Sequence, residues 1–193
     1  STGPVVSFRA VEHLHRIYSN GTKHLVPLYQ LHNTAKMKFT WPLEKKEKPQ
    51  YIVQSEKTKS LLLPNKDYIF LRRFSAKDDK SRLVATPYFS ESVDEAFIGV
   101  ENHLNYIYRP GGELSKIEII GLTALLNSSL FDRYFRTFNG NINVSATELK
   151  EMPFPPIGEI KAIGSALIDA DKYDMDSVNE IINEFFDLEK IYG

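Results

Sequence analysis

The 193 residues carry 24 Lys+Arg against 25 Asp+Glu, 42% hydrophobic and 12% aromatic residues, and no cysteine. A chain of this length can bury roughly 70% of its unfolded surface in one core, and the missing thiols exclude a disulfide scaffold, a thiolate zinc site and a cysteine nucleophile. No apolar run approaches the ~20 residues of a membrane helix and no signal-peptide pattern opens the chain. With Ser1-Thr2-Gly3-Pro4 where an initiator methionine would stand, the sequence reads as a cytoplasmic domain excised from a longer protein.

The near-neutral total conceals two halves of opposite sign. Residues 1–82 hold 16 Lys+Arg against 7 Asp+Glu, and residues 83–193 hold 8 against 18. Such a chain can offer a cationic face to an anionic partner while its tail stays acidic. An isoelectric point near 6.5 is low for an autonomous nucleic-acid binder, so a nucleic-acid partner would be gripped partly by another region of the parent.

In chain order, the first two thirds read as short strands and loops. Candidate strands are Val5–Phe8, Leu25–Leu31, Met37–Trp41, Tyr51–Val53, Asp67–Leu71, Arg82–Ala85 and Phe97–Val100, with Leu104–Tyr108 pairing with the last. All are β-branched or aromatic runs bounded by Gly, Pro, Asn and Asp. Pro42, Pro49, Pro64, Pro87 and Pro110 place several of them at edges or ends. From Ser115 the apolar period becomes helical through Ile117, Ile120, Leu125, Leu126, Leu130 and Phe135, opened by a Ser115/Glu118 capping box and stopped by Asn139-Gly140-Asn141. A second box, Ser145/Glu148, precedes an extended Met152–Pro156. Two further helices are expected at 157–170 and 176–191, the last with an apolar stripe and an acidic face. The fold class is α+β: a β-rich, irregular first part and a helical end. Residues 1–156 form one expected unit, and residues 157–193 the helices that pack on it.

Motifs for autonomous catalysis are absent. There is no Gly-x-Gly nucleotide loop, P-loop, zinc-protease helix or nucleophile elbow. His13 and His15 are two apart and would not converge on a helix. The expectation is no catalytic residue, no metal site and no cofactor in this chain. The stretch Arg72–Arg82 places five basic residues, Arg72, Arg73, Lys77, Lys80 and Arg82, in eleven positions after a hydrophobic strand. Arginine forks fit phosphate and guanine edges; a surface hairpin of solvated charges is the other reading. Asn102-His103 and Asn139-Gly140-Asn141 combine amides able to read adenine with ordinary loop chemistry.

Several segments together resemble a known family. They are Thr2–Ala10, Leu71–Lys77, Glu101–Pro110, Ala124–Arg136 and Glu148–Pro156. The resemblance is to the C-terminal target-recognition region of bacterial adenine-specific DNA methyltransferases in restriction–modification systems, similar to the TaqI-like specificity domain. The helix Leu125–Arg136 followed by Leu149–Pro156 is also shared with type I specificity subunits. The resemblance implies recognition of double-stranded DNA beside an N-terminal methyltransferase domain that binds S-adenosylmethionine and flips the target adenine; it leaves open whether the parent carries a nuclease. Phe154-Pro155-Pro156-Ile157 has the prolines of the catalytic motif without the amide or carboxylate before them. On this reading the DNA-binding candidates are Arg9, Lys38, Arg72, Arg73, Ser75, Lys77, Lys80, Arg82, Asn102, His103, Asn139 and Asn141. The competing class is a protein-docking module built on the acidic C-terminal helices, without DNA contact; a freestanding serine hydrolase lacks any supporting motif.

Overall fold

The computed structural model describes residues 1–18, 21, 24–44, 47–75 and 78–186. Its organising strand is β7 (Tyr68–Arg72), apolar on both faces because it is covered on both. Ile69 and Leu71 point to one core shared with the helices, and Tyr68 and Phe70 to another made largely of aromatic rings. β10 (Leu104–Ile107) and β8 (Ala85–Tyr88) flank it as antiparallel neighbours. Beyond the aromatic layer, β1 (Leu14–His15), β5 (Tyr51–Val53), β2 (Leu25–Tyr29), β9 (Phe97–Val100) and β6 (Leu62–Pro64) form a second sheet in that spatial order. Within it β2 pairs with β5 antiparallel and with β9 parallel. A small hairpin of β3 (Thr34–Ala35) and β4 (Lys38–Phe39) lies against β7 and β8.

The helices are α1 (Lys116–Asn127), α2 (Ser129–Phe138), α3 (Ala146–Lys150), α4 (Ile157–Ala170) and α5 (Met175–Phe186). The architecture is therefore α+β, with the strands first and the helices last. Both capping boxes form, Ser115 with Glu118 and Ser145 with Glu148. None of the described helices is long and apolar enough to cross a membrane.

Four local expectations are corrected. Val5–Phe8 is no strand of its own; Thr2 and Val5 make isolated bridges to Asn105 and Glu101, and the chain turns at Ser7–Arg9. Leu104–Ile107 pairs with β7 and not with β9, because Leu104 joins the aromatic core on which Phe70 lies. The strand expected at Arg82–Ala85 begins only at Ala85, since the N–H groups of Arg82 and Leu83 are bound by the Asp132 carboxylate. The single helix expected after Ser115 is two: Ser128 is extended and its hydroxyl accepts from Phe131 N–H, capping α2. The final helix begins as expected, but its segment 187–191 lies outside the described residues.

α1 and α4 approach as closely as two backbones can. A Cβ at Gly121 would stand 1.9 Å from the Ile160 carbonyl oxygen, and one at Gly164 1.9 Å from that of Ile117. Gly164→Ala is expected to force the helices apart and to cost about 2–3 kcal/mol, read as a fall in the urea midpoint at unchanged m-value.

Glu118 is buried at the start of α1 and receives a fork from Arg109, with Nη2–Oε1 at 3.0 Å and Nη1–Oε2 at 3.2 Å. Ser115 N–H and Lys161 complete its surroundings. The Arg109 hydrogen bonds, opposed by burial and helped by Ser115, bring its pKa down to about 2. A carboxylate with a depressed folded pKa stabilises fully above its ordinary value, and the contribution disappears as pH falls from 4.5 to about 2. Glu118→Gln is expected to lower Tm by roughly 4–8 °C at pH 7, with the gap to wild type closing across that acid window.

Candidate nucleic-acid interface

β7 leaves the sheet at Arg72 and enters the loop that the sequence marks as basic. One contact set decides where that loop goes. Arg82 is only 1% exposed. Its Nε donates to Ser75 Oγ at 2.9 Å and its Nη2 to Asn139 Oδ1 at 3.0 Å, with a further bond to the Asn141 carbonyl. The Phe135 ring lies 5.7 Å from the guanidinium carbon. Asn139 in turn donates to the Asn143 carbonyl and to Glu148 Oε1, so the α3 capping box is joined to the same network.

The α1–α2 junction holds the other end of the loop. The Asn127 side chain accepts from Ala85 N–H at 2.9 Å and donates to Ala85 C=O at 2.8 Å, acting as a neighbouring strand would. Asp132 accepts from the N–H groups of Arg82 (2.6 Å) and Leu83 (3.0 Å) and from Arg136 Nε (2.7 Å). Arg136 also donates to the Asp79 carbonyl. Asn127, Asp132 and Arg136 thus form a clamp on the segment from Asp79 to Ala85.

What the clamp leaves outward is a cationic rim. On one side of Phe74 is an open cleft of about 370 Å³ lined by Lys36, Arg72, Lys80 and Asp79. Arg72 is held through the Thr34 hydroxyl (3.2 Å) and carbonyl, and Lys36 through the Asn127 carbonyl (2.8 Å). Burial draws both cations below their ordinary pKa values, Asp132 opposing this at Lys36 and Asp79 at Arg72. Partly desolvated cations of this kind bind anions more strongly than lysines in bulk water.

Arg73 and His103 lie on the other side of Phe74. Arg73 reaches the Asn102 carbonyl at 3.3 Å and lies 5.3 Å from the Phe74 ring, whose centroid is 5.1 Å from that of His103. The buried Glu101 carboxylate accepts from His103 N–H and Ser7 Oγ and meets His103 Nδ1 at 2.7 Å. That contact fixes the ring with Nε2 facing solvent. Ser7 begins the turn carrying Phe8, 76% exposed, and Arg9. The rim therefore runs from the Phe8–Arg9 turn through Asn102, His103, Arg73 and Phe74 to the cleft, with Phe8 and Arg9 exposed and Arg73 and Phe74 half-buried.

The expected contact residues that the structure describes fall in different places. Arg73, Asn102 and His103 come together, Arg9 is exposed on the turn that Ser7 ties to Glu101, and Arg72 and Lys80 line the cleft. Lys38 is exposed on β4, beside the hairpin that holds Arg72. Asn141 is exposed, with its carbonyl used by Arg82. Ser75, Arg82 and Asn139, expected at the surface as contacts, are all buried, and Arg82 donates to each of the other two. Lys77 lies outside the described residues. Sequence reasoning missed Phe8, Lys36, Phe74, Glu101, Asn127 and Asp132. Asn127 and Asp132 stood within the segment that carries the resemblance, and only their helical spacing was read. Lys36 had no signal, because a hairpin far away in the chain brings it to the cleft.

Asp132→Ala leaves two buried N–H groups without an acceptor. A loss of about 2–4 kcal/mol is expected, with faster amide exchange at Arg82 and Leu83; Asp132→Asn, which keeps an acceptor oxygen, should lose less.

No family model matches the chain. It is 34% identical over 188 residues to the Type II methyltransferase M.PstI of Providencia stuartii, covering 97% of this chain and 36% of that protein. It is 39% identical over 169 residues to the Type II methyltransferase M.BsuBI of Bacillus subtilis, covering 88% of this chain and 33% of that protein. The chain thus spans about a third of the length of the curated relatives it matches.

Proposed function

We propose that this chain is the DNA target-recognition part of a bacterial Type II methyltransferase of a restriction–modification system, acting in the cytoplasm on the N6 position of adenine. The observation that carries the reading is the convergence of Arg73, Asn102 and His103 beside the Lys36–Arg72–Lys80 cleft, in a chain similar throughout to one third of two Type II methyltransferases. Lys36, Arg72 and Lys80 take phosphates. Arg73, Asn102 and the outward Nε2 of His103 face base edges, and the Phe8 and Phe74 rings offer apolar surface between them. Ser75, Arg82, Asn139, Asn127 and Asp132 position this set and do not touch DNA. The exposed carboxylates of α4 and α5, among them Glu159, Asp169, Asp176, Glu180 and Glu184, repel phosphate and direct the duplex to the rim.

Residues 1–156 with the helices of 157–186 act as one recognition unit in this reading. S-adenosylmethionine supplies the methyl group in the parent, and the residues here do not fit it. Pro155-Pro156 leads directly into α4, and Phe154 packs on Phe131 with ring centroids 5.4 Å apart. The methyl donor and the adenine pocket therefore belong to a separate methyltransferase domain of the parent, and this chain orients the duplex for base flipping there.

In the parent protein, Arg73→Ala is expected to weaken binding to cognate duplex about tenfold, with S-adenosylmethionine affinity unchanged. Lys36→Ala is expected to weaken cognate and unrelated duplexes alike and to reduce the slope of log K against log salt by about 1. Equal DNA affinity of wild type and both variants across a salt titration would leave the protein-docking reading in its place.

A further inference from the structure

Glu101 lies in the turn between β9 and β10, and its carboxylate is buried beside a rim of cations. Backbone bonds fix the turn on every side. Glu101 N–H donates to the Tyr29 carbonyl at 2.9 Å, Asn102 N–H to the Val5 carbonyl at 2.8 Å, and Leu104 N–H back to the Glu101 carbonyl at 2.9 Å. Both carboxylate oxygens accept: Oε1 from the Ser7 hydroxyl at 3.1 Å and Oε2 from His103 N–H at 3.0 Å. His103 Nδ1 stands 2.7 Å from each of them. A carboxylate accepts and does not donate, so the proton in these contacts sits on Nδ1, and the neutral ring keeps its lone pair on Nε2. The Phe74 ring, tilted by 59° with its centroid 5.1 Å away, packs on the imidazole and holds its orientation.

Arg73 is the cross-strand neighbour, its N–H donating to the His103 carbonyl at 2.9 Å. A guanidinium can only donate. The rim therefore shows a donor and an acceptor side by side. In the major groove the donors are the amino groups at N6 of adenine and N4 of cytosine, whereas guanine O6 and N7 and thymine O4 are acceptors. An acceptor nitrogen set against those atoms leaves both sides unmatched.

We infer that Glu101 is a positioning residue for base reading: it holds the His103 proton on Nδ1, so that Nε2 accepts from the exocyclic amino group of an adenine or cytosine that stays stacked in the duplex. The inference rests on the proposed function, that this rim meets DNA, and adds to it the polarity of one contact. It accounts for a carboxylate at a surface that must attract phosphate, since the charge is matched by Ser7 and His103 and is not presented to the duplex. Arginine contacts alone would favour guanine; the Glu101–His103 pair supplies the opposite preference on the adjacent strand.

The test uses the parent protein and cognate duplexes in which one adenine or one cytosine at a time is replaced by the analogue that lacks only the amino group. At one position wild type is expected to lose about fivefold in affinity. His103→Ala should bind the unmodified duplex about fivefold more weakly and lose nothing further at that position, and whether the position is adenine or cytosine assigns the amino group. Ring-nitrogen NMR shifts, with the His103 signals identified by their loss in His103→Ala, should place the proton on Nδ1. Glu101→Gln offers Nδ1 an N–H, and should move the ring proton toward Nε2 and shrink the cost of deleting the amino group. Losses that add at every position, a proton on Nε2 in wild type, or an unmoved proton in Glu101→Gln would each overturn the inference. His103→Ala changes a half-exposed side chain, so the affinity arm stands even where Glu101→Gln does not fold. The proposed function fails separately: Arg73→Ala and Lys36→Ala would then bind DNA as wild type does, whereas failure of this inference leaves both weakened.

Discussion

A guanidinium taken out of water needs its N–H groups matched, and the way Arg82 is matched shapes much of this molecule. Its acceptors come from the start of the basic loop (Ser75) and from the turn after α2 (Asn139 and Asn141). Asp132 binds the same residue through its backbone. Two segments about sixty residues apart in the chain are thereby tied at one point. An unmatched buried cation would cost several kcal/mol, so arrangements that break this set of Arg82 contacts are strongly disfavoured.

That constraint separates residues that hold from residues that face outward. Asn127, Ser128, Asp132 and Arg136 sit at α1–α2 on helical spacing, yet their polar atoms are spent on Ala85, Phe131, Arg82 with Leu83, and Asp79. A segment with such duties tolerates little change even though it touches no ligand in the proposed function. Arg73, Phe74, His103 and the Phe8–Arg9 turn are carried on this frame with their side chains available. In a recognition unit this division lets the reading surface vary while the clamp stays the same.

β7 supplies the other half of the frame. Its alternate residues enter two different cores, so displacing it would disturb the aromatic layer and the helical layer together. The Gly121–Gly164 crossing brings α4 close enough to α1 to seal the helical core. The Arg72–Phe74 and Asn102–His103 parts of the rim are continuous with strands of this central sheet, which is why they keep a fixed spacing.

The sequence by itself determined what local chemistry controls. Both capping boxes, the bounds of α4 and the two-sided apolar run of β7 follow from side chains competing for nearby backbone groups and from apolar period. It also drew attention to the basic stretch, because five cations in eleven residues are visible without a fold. Only the tertiary structure decided which of those cations face water. Arg72, Arg73 and Arg82 are the same residue type within eleven positions, and burial, set by partners as far away as Thr34 and Asn139, gives them different roles. The pairing of β10 was likewise beyond local reading: strand partners are chosen by which faces share a core, and that is settled between residues far apart in the chain.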